Sequence, residues 1–408
     1  MKRVVVTGMA GITALGSDWT TVEANLRGGV SGIRRMPDWD RYRDVNTRLA
    51  GPVEGFTAPP HFSRKATRTM GRVALLATRA TELALEDAGL RDDPEIKTGA
   101  MGVAYGSSTG STDAVCDFFS LLTSGDSGRL NATTYVRMMS HTAAVNIGLY
   151  FELKGRVIPT SSACTSGSQG IGYAYEAIKF GRQTMMVAGG AEELCPSEAA
   201  VFDTLYATST RNDAPNSTPR PFDRDRDGLV IGEGACTLVL EELEHARARG
   251  ARVHAEIVGF GSNADGDHVT HPNTHTMEAA MRLALADAQL PPSAIGYVNA
   301  HGTATEQGDI AESQATQRLF GTRTPFSSMK GHLGHTLGAC GAIESWFTVE
   351  MLRRDWYAPT LNLANVDPRC GELDYVMNDG RRLKNEYAMN NNFAFGGINT
   401  SLIFRRLD

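Results

Sequence analysis

Apolar residues recur along this chain in two textures. Short runs over residues 3–7, 101–105, 184–189, 237–241 and 254–259 predict buried strands. Between them Met70, Val73, Leu76, Ala77, Ala80 and Leu83 keep helical spacing up to Gly89, and residues 165–180, 276–288 and 339–352 predict further helices. Alternation of this kind implies an α/β fold of repeated units with parallel sheets. Gly8, Gly11 and Gly16 predict a turn and loop after the first strand. Pro159 lacks an N–H, so the strand at 156–160 belongs at a sheet edge or on an interrupted pairing.

The pattern repeats. Leu83-Ala84-Leu85-Glu86-Asp87-Ala88-Gly89-Leu90 returns as Leu283-Ala284-Leu285-Ala286-Asp287-Ala288-Gln289-Leu290, and Cys164-x-x-Gly167-x-x-Gly170 as His335-x-x-Gly338-x-x-Gly341. Two echoes in the same order predict two similar βαβ-rich halves, 1–250 and 251–408, with the insertions in the first. The second echo places Cys164 and His335 at equivalent helix starts.

Composition narrows the function classes. The chain has 408 residues, 41% hydrophobic and 21% charged, enough for a sizeable core. A net charge of −6 does not supply the basic face a nucleic-acid binder needs. Six cysteines without Cys-x-x-Cys spacing read as reduced thiols. The apolar start is too short for a signal peptide and no apolar run approaches a membrane span, so a soluble cytoplasmic protein is expected. Asp223 to Gly228 imitates half a calcium loop, but its twelfth position is Gly234 where glutamate is needed, and a structural turn is expected.

Cys164, His301 and His335 are the candidate chemistry: a thiol nucleophile and two imidazoles on separate loops. At a helix N-terminus the dipole favours an anion by up to ~2 kcal/mol, enough to bring a thiol from about 8.5 to about 7. On that reading a useful thiolate fraction needs no dedicated base.

These residues stand in four motifs: Ser162-Ala163-Cys164-Thr165-Ser166, Asn299-Ala300-His301-Gly302-Thr303-Ala304-Thr305, Lys330-Gly331-His332-Leu333-Gly334-His335-Thr336-Leu337-Gly338-Ala339 and Asn392-Phe393-Ala394-Phe395-Gly396-Gly397-Ile398-Asn399. In this order and over the whole chain they resemble the β-ketoacyl-acyl-carrier-protein synthases of the type I/II class. The resemblance implies a thiolase-like fold, layered αβαβα. It also implies a cofactor-free, decarboxylative condensation of an acyl group on Cys164 with a malonyl carrier protein.

By the same resemblance, backbone N–H groups of Cys164 and Phe395 hold the acyl-transfer oxyanion. Lys330 and Glu344 form a charged pair expected to orient His335, and Asp309 is a structural acid near His301. Thr303, Thr305, Thr109 and Phe393 contact substrate, with Thr109 at the acyl-pocket gate. Lys65, Arg68 and Arg211 are expected to dock an acidic acyl carrier protein. The implied assembly is a homodimer, or a heterodimer with a chain-length-factor subunit. Fatty-acid synthesis is the expected pathway, with a type II polyketide or aryl polyene pathway as alternative.

The sequence departs from the family pattern at Ala394, where the mobile loop commonly has glycine, at Thr109, and at Pro159 in the strand that pairs across the family's dimer. A non-catalytic subunit of the same fold is disfavoured by Cys164 with both histidines. A thiolase is disfavoured by histidine at 335, where a second catalytic cysteine would stand. A zinc hydrolase using His332, His335 and Cys164 is the rival from another class.

Overall fold

The computed structural model describes residues 1–407. Its main sheet has eleven strands: β1 (Val4–Thr13), β2 (Met101–Gly106), β3 (Val157–Thr160), β4 (Met185–Glu192), β5 (Gly234–Glu242), β6 (Ala255–Ala264), β7 (Ile295–Asn299), β8 (Pro325–Ser327), β9 (Asp374–Tyr375), β10 (Tyr387–Ala394) and β11 (Ile398–Arg405). Their order across the sheet is β9-β8-β7-β10-β11-β6-β1-β5-β4-β2-β3. From β1 outward, β5 is antiparallel to both β1 and β4, and β4, β2 and β3 are parallel. From β6 outward, β11, β10, β7 and β8 repeat that series of pairings. A short antiparallel contact, Val4 to Val6 against Ile257 to Ala255, joins the two sets.

Five helices sort the apolar residues into three cores: α1 (Arg72–Asp87), α2 (Ser166–Lys179), α3 (Thr274–Ala288), α4 (Glu306–Phe320) and α5 (Cys340–Arg354). The stripe Val73, Leu76, Ala77 and Ala80 turns α1 onto the outer face of the first set, against Val103 and Val239. On the second set α3 and α4 do the same, burying Met281, Leu285 and Ala315 against Val298 and Ile403. Between the sets lie α2 and α5, whose Ile171, Tyr175, Trp346 and Phe347 share one core with strand residues of both. The result is helix, sheet, helix, sheet, helix.

The first strand is longer than its apolar run predicts. The chain stays extended through Gly8 and Gly11 to Thr13, so these glycines are not a turn. A Cβ on Gly8 would lie 2.2 Å from the Ala84 carbonyl oxygen of α1, and one on Gly259 would lie 2.3 Å from that of Ala284 in α3. Missing side chains let each helix lie directly on its strand, and Ala84 and Ala284 are the matched residues of the first echo.

The second echo is displaced. Each central helix is entered through a 3₁₀ turn, Ala163–Thr165 before α2 and Leu337–Ala339 before α5, and the first residue of each turn has positive φ, 50° and 46°. The structural counterpart of Cys164 is therefore Gly338, and His335 stands three residues ahead of the equivalent place. The glycines of the motif serve packing: a Cβ on Gly341 would come within 2.7 Å of the Ser168 side chain, so α2 and α5 cross at their first turns. That crossing brings the two preceding loops together.

Pro159 pairs with Tyr105 on β3, the last strand of the sheet, where a missing donor leaves no partner unsatisfied. The Asp223 turn is structural: its carboxylate accepts from the N–H groups of Asp225, Ala364 and Asn365. No helix among the described residues is long and apolar enough to cross a membrane.

Candidate active site

Cys164, His301 and His335 converge. Nε2 of His335 lies 3.0 Å from the Cys164 sulfur, and the two imidazole rings stand nearly perpendicular with centroids 5.1 Å apart. One ligand atom from each of the three lies within 4.8 Å of the others, and all three residues are buried.

Each side chain is fixed through its backbone. His301 follows β7, and its N–H and that of Gly302 donate to the two carboxylate oxygens of Glu312 on α4, both at 2.7 Å. His335 donates its N–H to the Val230 carbonyl at 2.7 Å and accepts from the Gly232 N–H at 2.8 Å. Backbone N–H groups of Phe395 and of Cys164 itself favour the ionised sulfur against its burial. A cavity of about 450 Å³ runs from the surface to these groups, lined among others by Thr303, Thr305, Phe202, Phe393 and Phe395.

Lys330 serves His301, not His335 as expected. Its ammonium donates to the Glu344 carboxylate at 2.5 Å, to the His301 carbonyl at 2.6 Å and towards His301 Nδ1 at 3.2 Å. Asn392 donates to the other Glu344 oxygen at 2.6 Å and stands 3.5 Å from the same Nδ1. With donors on that side, Nδ1 of His301 accepts and its proton is on Nε2.

The N-terminal domain model of the beta-ketoacyl synthases matches residues 1–246, and the C-terminal domain model matches residues 254–364. The chain belongs to the β-ketoacyl synthase family. It is an acyltransferase with a thiolase-like fold. Among its relatives is 3-oxoacyl-acyl-carrier-protein synthase 2 of Vibrio cholerae, 40% identical over 100% of this chain and 99% of the relative. A beta-ketoacyl synthase crystal structure from Burkholderia phymatum superposes with a TM-score of 0.99 at 62% identity, covering 100% of both chains. The ishigamide ketosynthase/chain length factor superposes at 0.90 with 30% identity, again over 100% of both.

In this synthase the electrostatics follow from burial. Burial pushes the Cys164 thiol up to about 11, and the Lys330 charge and the two N–H groups offset only part of that. Burial thus works against the thiolate that the helix start was expected to supply. Burial, helped by Lys330, holds both His301 and His335 well below the usual histidine value, so both rings are neutral near pH 7. Lys330 stays charged, because Glu344 more than offsets the cost of its burial.

The remaining expected residues fall at different distances from the synthase's centre. Thr303 and Thr305 line the cavity, their hydroxyls 2.8 Å apart. Asp309 accepts from the Phe222 and Ala304 N–H groups and pairs with Arg226, anchoring the loop after His301. The carboxylate that holds His301 is Glu312. Thr109 donates to the Glu198 carboxylate at 2.9 Å and does not line this cavity. Ala394 ends β10 paired with Ile398, and the positive φ values of its loop belong to Gly396 and Gly397. Arg64, Lys65 and Arg68 are exposed. Arg211 is engaged by Asp227 at 3.4 Å and by the Asp225 carbonyl. His332 contacts the Val30 and Pro359 carbonyls, away from the cavity, so the zinc set with His335 and Cys164 does not form.

Glu312, Glu192 and Asn392 are the residues sequence reading missed. Glu192 accepts from the N–H groups of Ser108 and Gly338 behind the cysteine loop. A signal for Glu312 existed: Asp309, Glu312, Ser313 and Thr316 form a buried polar stripe along α4. Glu192 closes an otherwise apolar strand, a place where a carboxylate needs a reason.

Proposed function

We propose that the protein is a 3-oxoacyl-acyl-carrier-protein synthase whose nucleophile is Cys164, with His301 and His335 serving the decarboxylation and condensation. The observation that carries this is the convergence of one thiol and two neutral imidazoles at the inner end of a cavity. In the first stage the Cys164 sulfur attacks the acyl thioester, and His335 Nε2, 3.0 Å away, takes the thiol proton. The N–H groups of Cys164 and Phe395 receive the carbonyl oxyanion. The bond from carbon to the arm's sulfur breaks, and the departing arm takes up the proton.

In the second stage a malonyl thioester loses carbon dioxide. The electron pair of the broken carbon–carbon bond moves onto the thioester oxygen, opposite the Nε2–H of His301 and of His335 in the tautomer that carries its proton on Nε2 instead of Nδ1. The α-carbon then attacks the acyl carbon, the bond to Cys164 breaks, a 3-oxoacyl thioester leaves, and the sulfur, released as thiolate, takes up one proton from solvent. Atoms and electrons balance without a cofactor. Thr303 and Thr305 are proposed to hold the arm, and Lys65 and Arg68 to attract an acidic carrier. Arg211 already has acidic partners and is the weakest member of that set.

Fatty-acid synthesis in the cytoplasm is the proposed setting, supported by the full-length relationship to a 3-oxoacyl synthase. The protein is proposed to act as a dimer through the open edge of β3, where Val157 is exposed beside its neighbour Pro159. A polyketide-type partnership with a chain-length factor is the second reading, favoured by the 30% identity to such a ketosynthase. Mass spectrometry of Cys164 across a panel of acyl carrier proteins tests the assignment, with Cys164→Ala as control. Acyl mass on Cys164, lost in the variant, is expected; acylation at another cysteine would sink it.

A further inference from the structure

We propose that Glu198 sets the acyl specificity of Cys164: its carboxyl, with the Thr109 hydroxyl, receives the far end of the bound acyl group and favours ends that accept a hydrogen bond over plain alkyl ends. This deepens the synthase reading and rests on it, because that reading keeps an acyl group on the sulfur while a second arm enters the cavity. The acyl group must therefore turn aside from the corridor that Thr303 and Thr305 line.

Two sides of the sulfur are closed to it. On one stand His301 and His335, backed by Lys330, Glu344 and Asn392. On another the first turns of α2 and α5 meet, where a Cβ on Gly167 would lie 3.0 Å from the Gly338 carbonyl oxygen. What remains is the loop after β2 and the helix Pro196–Asp203. The Ser108 carbonyl lies 3.5 Å from the Ser161 hydroxyl beside the cysteine, and Thr109 next to it is exposed. The helix puts Phe202 on the cavity and the buried Glu198 one turn earlier, on the same face.

Two acids meet there with unequal provision. Glu192 accepts from the Ser107 hydroxyl and from the N–H groups of Ser108 and Gly338, at 2.8, 2.8 and 2.9 Å, and its charge bears on the Cys164 thiol, so the cluster adjoins the nucleophile. Glu198 has the Thr109 hydroxyl at 2.9 Å on Oε1 and the Cys195 N–H at 3.2 Å on Oε2. The titratable groups that bear on it are Glu192, Cys195 and Glu193, none of them a cation. Burial first, and then the Glu192 charge, push Glu198 up to about 10, so it keeps its proton near pH 7. With both oxygens already accepting, that proton has no acceptor besides Thr109 itself. A buried carboxyl held neutral in this way donates a hydrogen bond to a substrate atom. No step of the two-stage chemistry uses it.

The test uses the full chain with pantetheine thioesters, which leave carrier contacts out. Equimolar pairs matched in length, hexanoyl with 5-oxohexanoyl and octanoyl with 7-oxooctanoyl, compete for Cys164, and the two acyl masses on the cysteine are compared at early times. Wild type is expected to favour the oxo member of at least one pair about tenfold, as one net hydrogen bond contributes. Glu198→Met, similar in volume and apolar, should reduce that ratio at least fivefold, whereas Glu198→Gln, which keeps an N–H donor, should retain it. A ratio within a pair is not moved by a general loss of stability. Absence of preference in wild type, which needs no variant to fold, or a preference that survives Glu198→Met, overturns the role of Glu198. Failure of wild type to take an acyl group from any of the four donors overturns the synthase reading and this role with it.

Discussion

The ammonium of Lys330 lies 3.2 Å from Nδ1 of His301, a contact between a cation and a ring that only a neutral imidazole tolerates. That contact decides the tautomer, and through it which ring nitrogen can donate to a developing enolate. Lys330→Met should therefore abolish condensation, at least 100-fold, while acylation of Cys164 falls less than tenfold. Glu344, left unpaired in the interior, should lower stability by about 3–5 kcal/mol. The double variant Lys330→Met/Glu344→Leu should regain stability and not condensation, which calorimetry and single-turnover assays would separate. Recovery of both would reduce the lysine to a packing role.

Acid should weaken the fold and the site together. His301, His332 and His335 all have folded values below the ordinary histidine value of 6.5. Below pH 6.5 the unfolded chain therefore binds more protons than the native one, and stability declines as pH falls towards the folded values. The limit is about 1.4 kcal/mol per histidine per pH unit. Above about pH 9 the sign reverses for Cys164, because its buried thiol ionises near 11 in the fold and earlier in the unfolded chain. Condensation rates should stay level from about pH 6.5 to 8. A steep rise of activity with a midpoint near 6.5 would show that an imidazole titrates normally.

Soft metal ions should inhibit. The sulfur and the two imidazoles lie within 4.8 Å of one another, a three-ligand set suited to zinc. Micromolar zinc is expected to block Cys164 acylation, and a chelator to restore it fully. His335→Asn should weaken the inhibition tenfold or more. Zinc that stimulates turnover would be incompatible with the proposed chemistry.

The helix crossing sets the distance between sulfur and imidazole. A Cβ at Gly341 would press on Ser168 at 2.7 Å, so Gly341→Ala should cost about 1–3 kcal/mol and part the two loops. Chemical denaturation should report the first effect. Loss of acylation out of proportion to unfolding should report the second, and an unaffected rate would mean the crossing is not what sets the spacing.

Much of this was readable before the fold was known. Period and repeat predicted α/β units, and residues 83–90 and 283–290 are indeed matched, because both rest on glycine-bearing strands. The motifs brought forward Cys164, His301 and His335, which the fold then gathers within 4.8 Å of one another. Register was harder: Gly167 and Gly341 answer one another in space, whereas spacing from Cys164 and His335 suggested Gly338. A text match weighs letters and cannot see which residue begins a 3₁₀ turn. Electrostatics was only half legible for a related reason. The dipole at a helix start is written in the sequence, but the burial that opposes it is a property of five packed layers. Glu344 was rightly expected to pair with Lys330, but the histidine that the lysine serves was not, since residues 29 apart in the chain gave no sign that one ammonium would reach the carbonyl of His301.

Gly338 at the place answering to Cys164 makes the duplication one of scaffold and not of reactivity. One half brings the sulfur with no imidazole of its own; the other brings both imidazoles with no thiol at the corresponding turn. Separated fragments would each be inert, and activity would return only on reassociation. The seam where α2 meets α5 is thus the place where two incomplete inheritances become one catalyst.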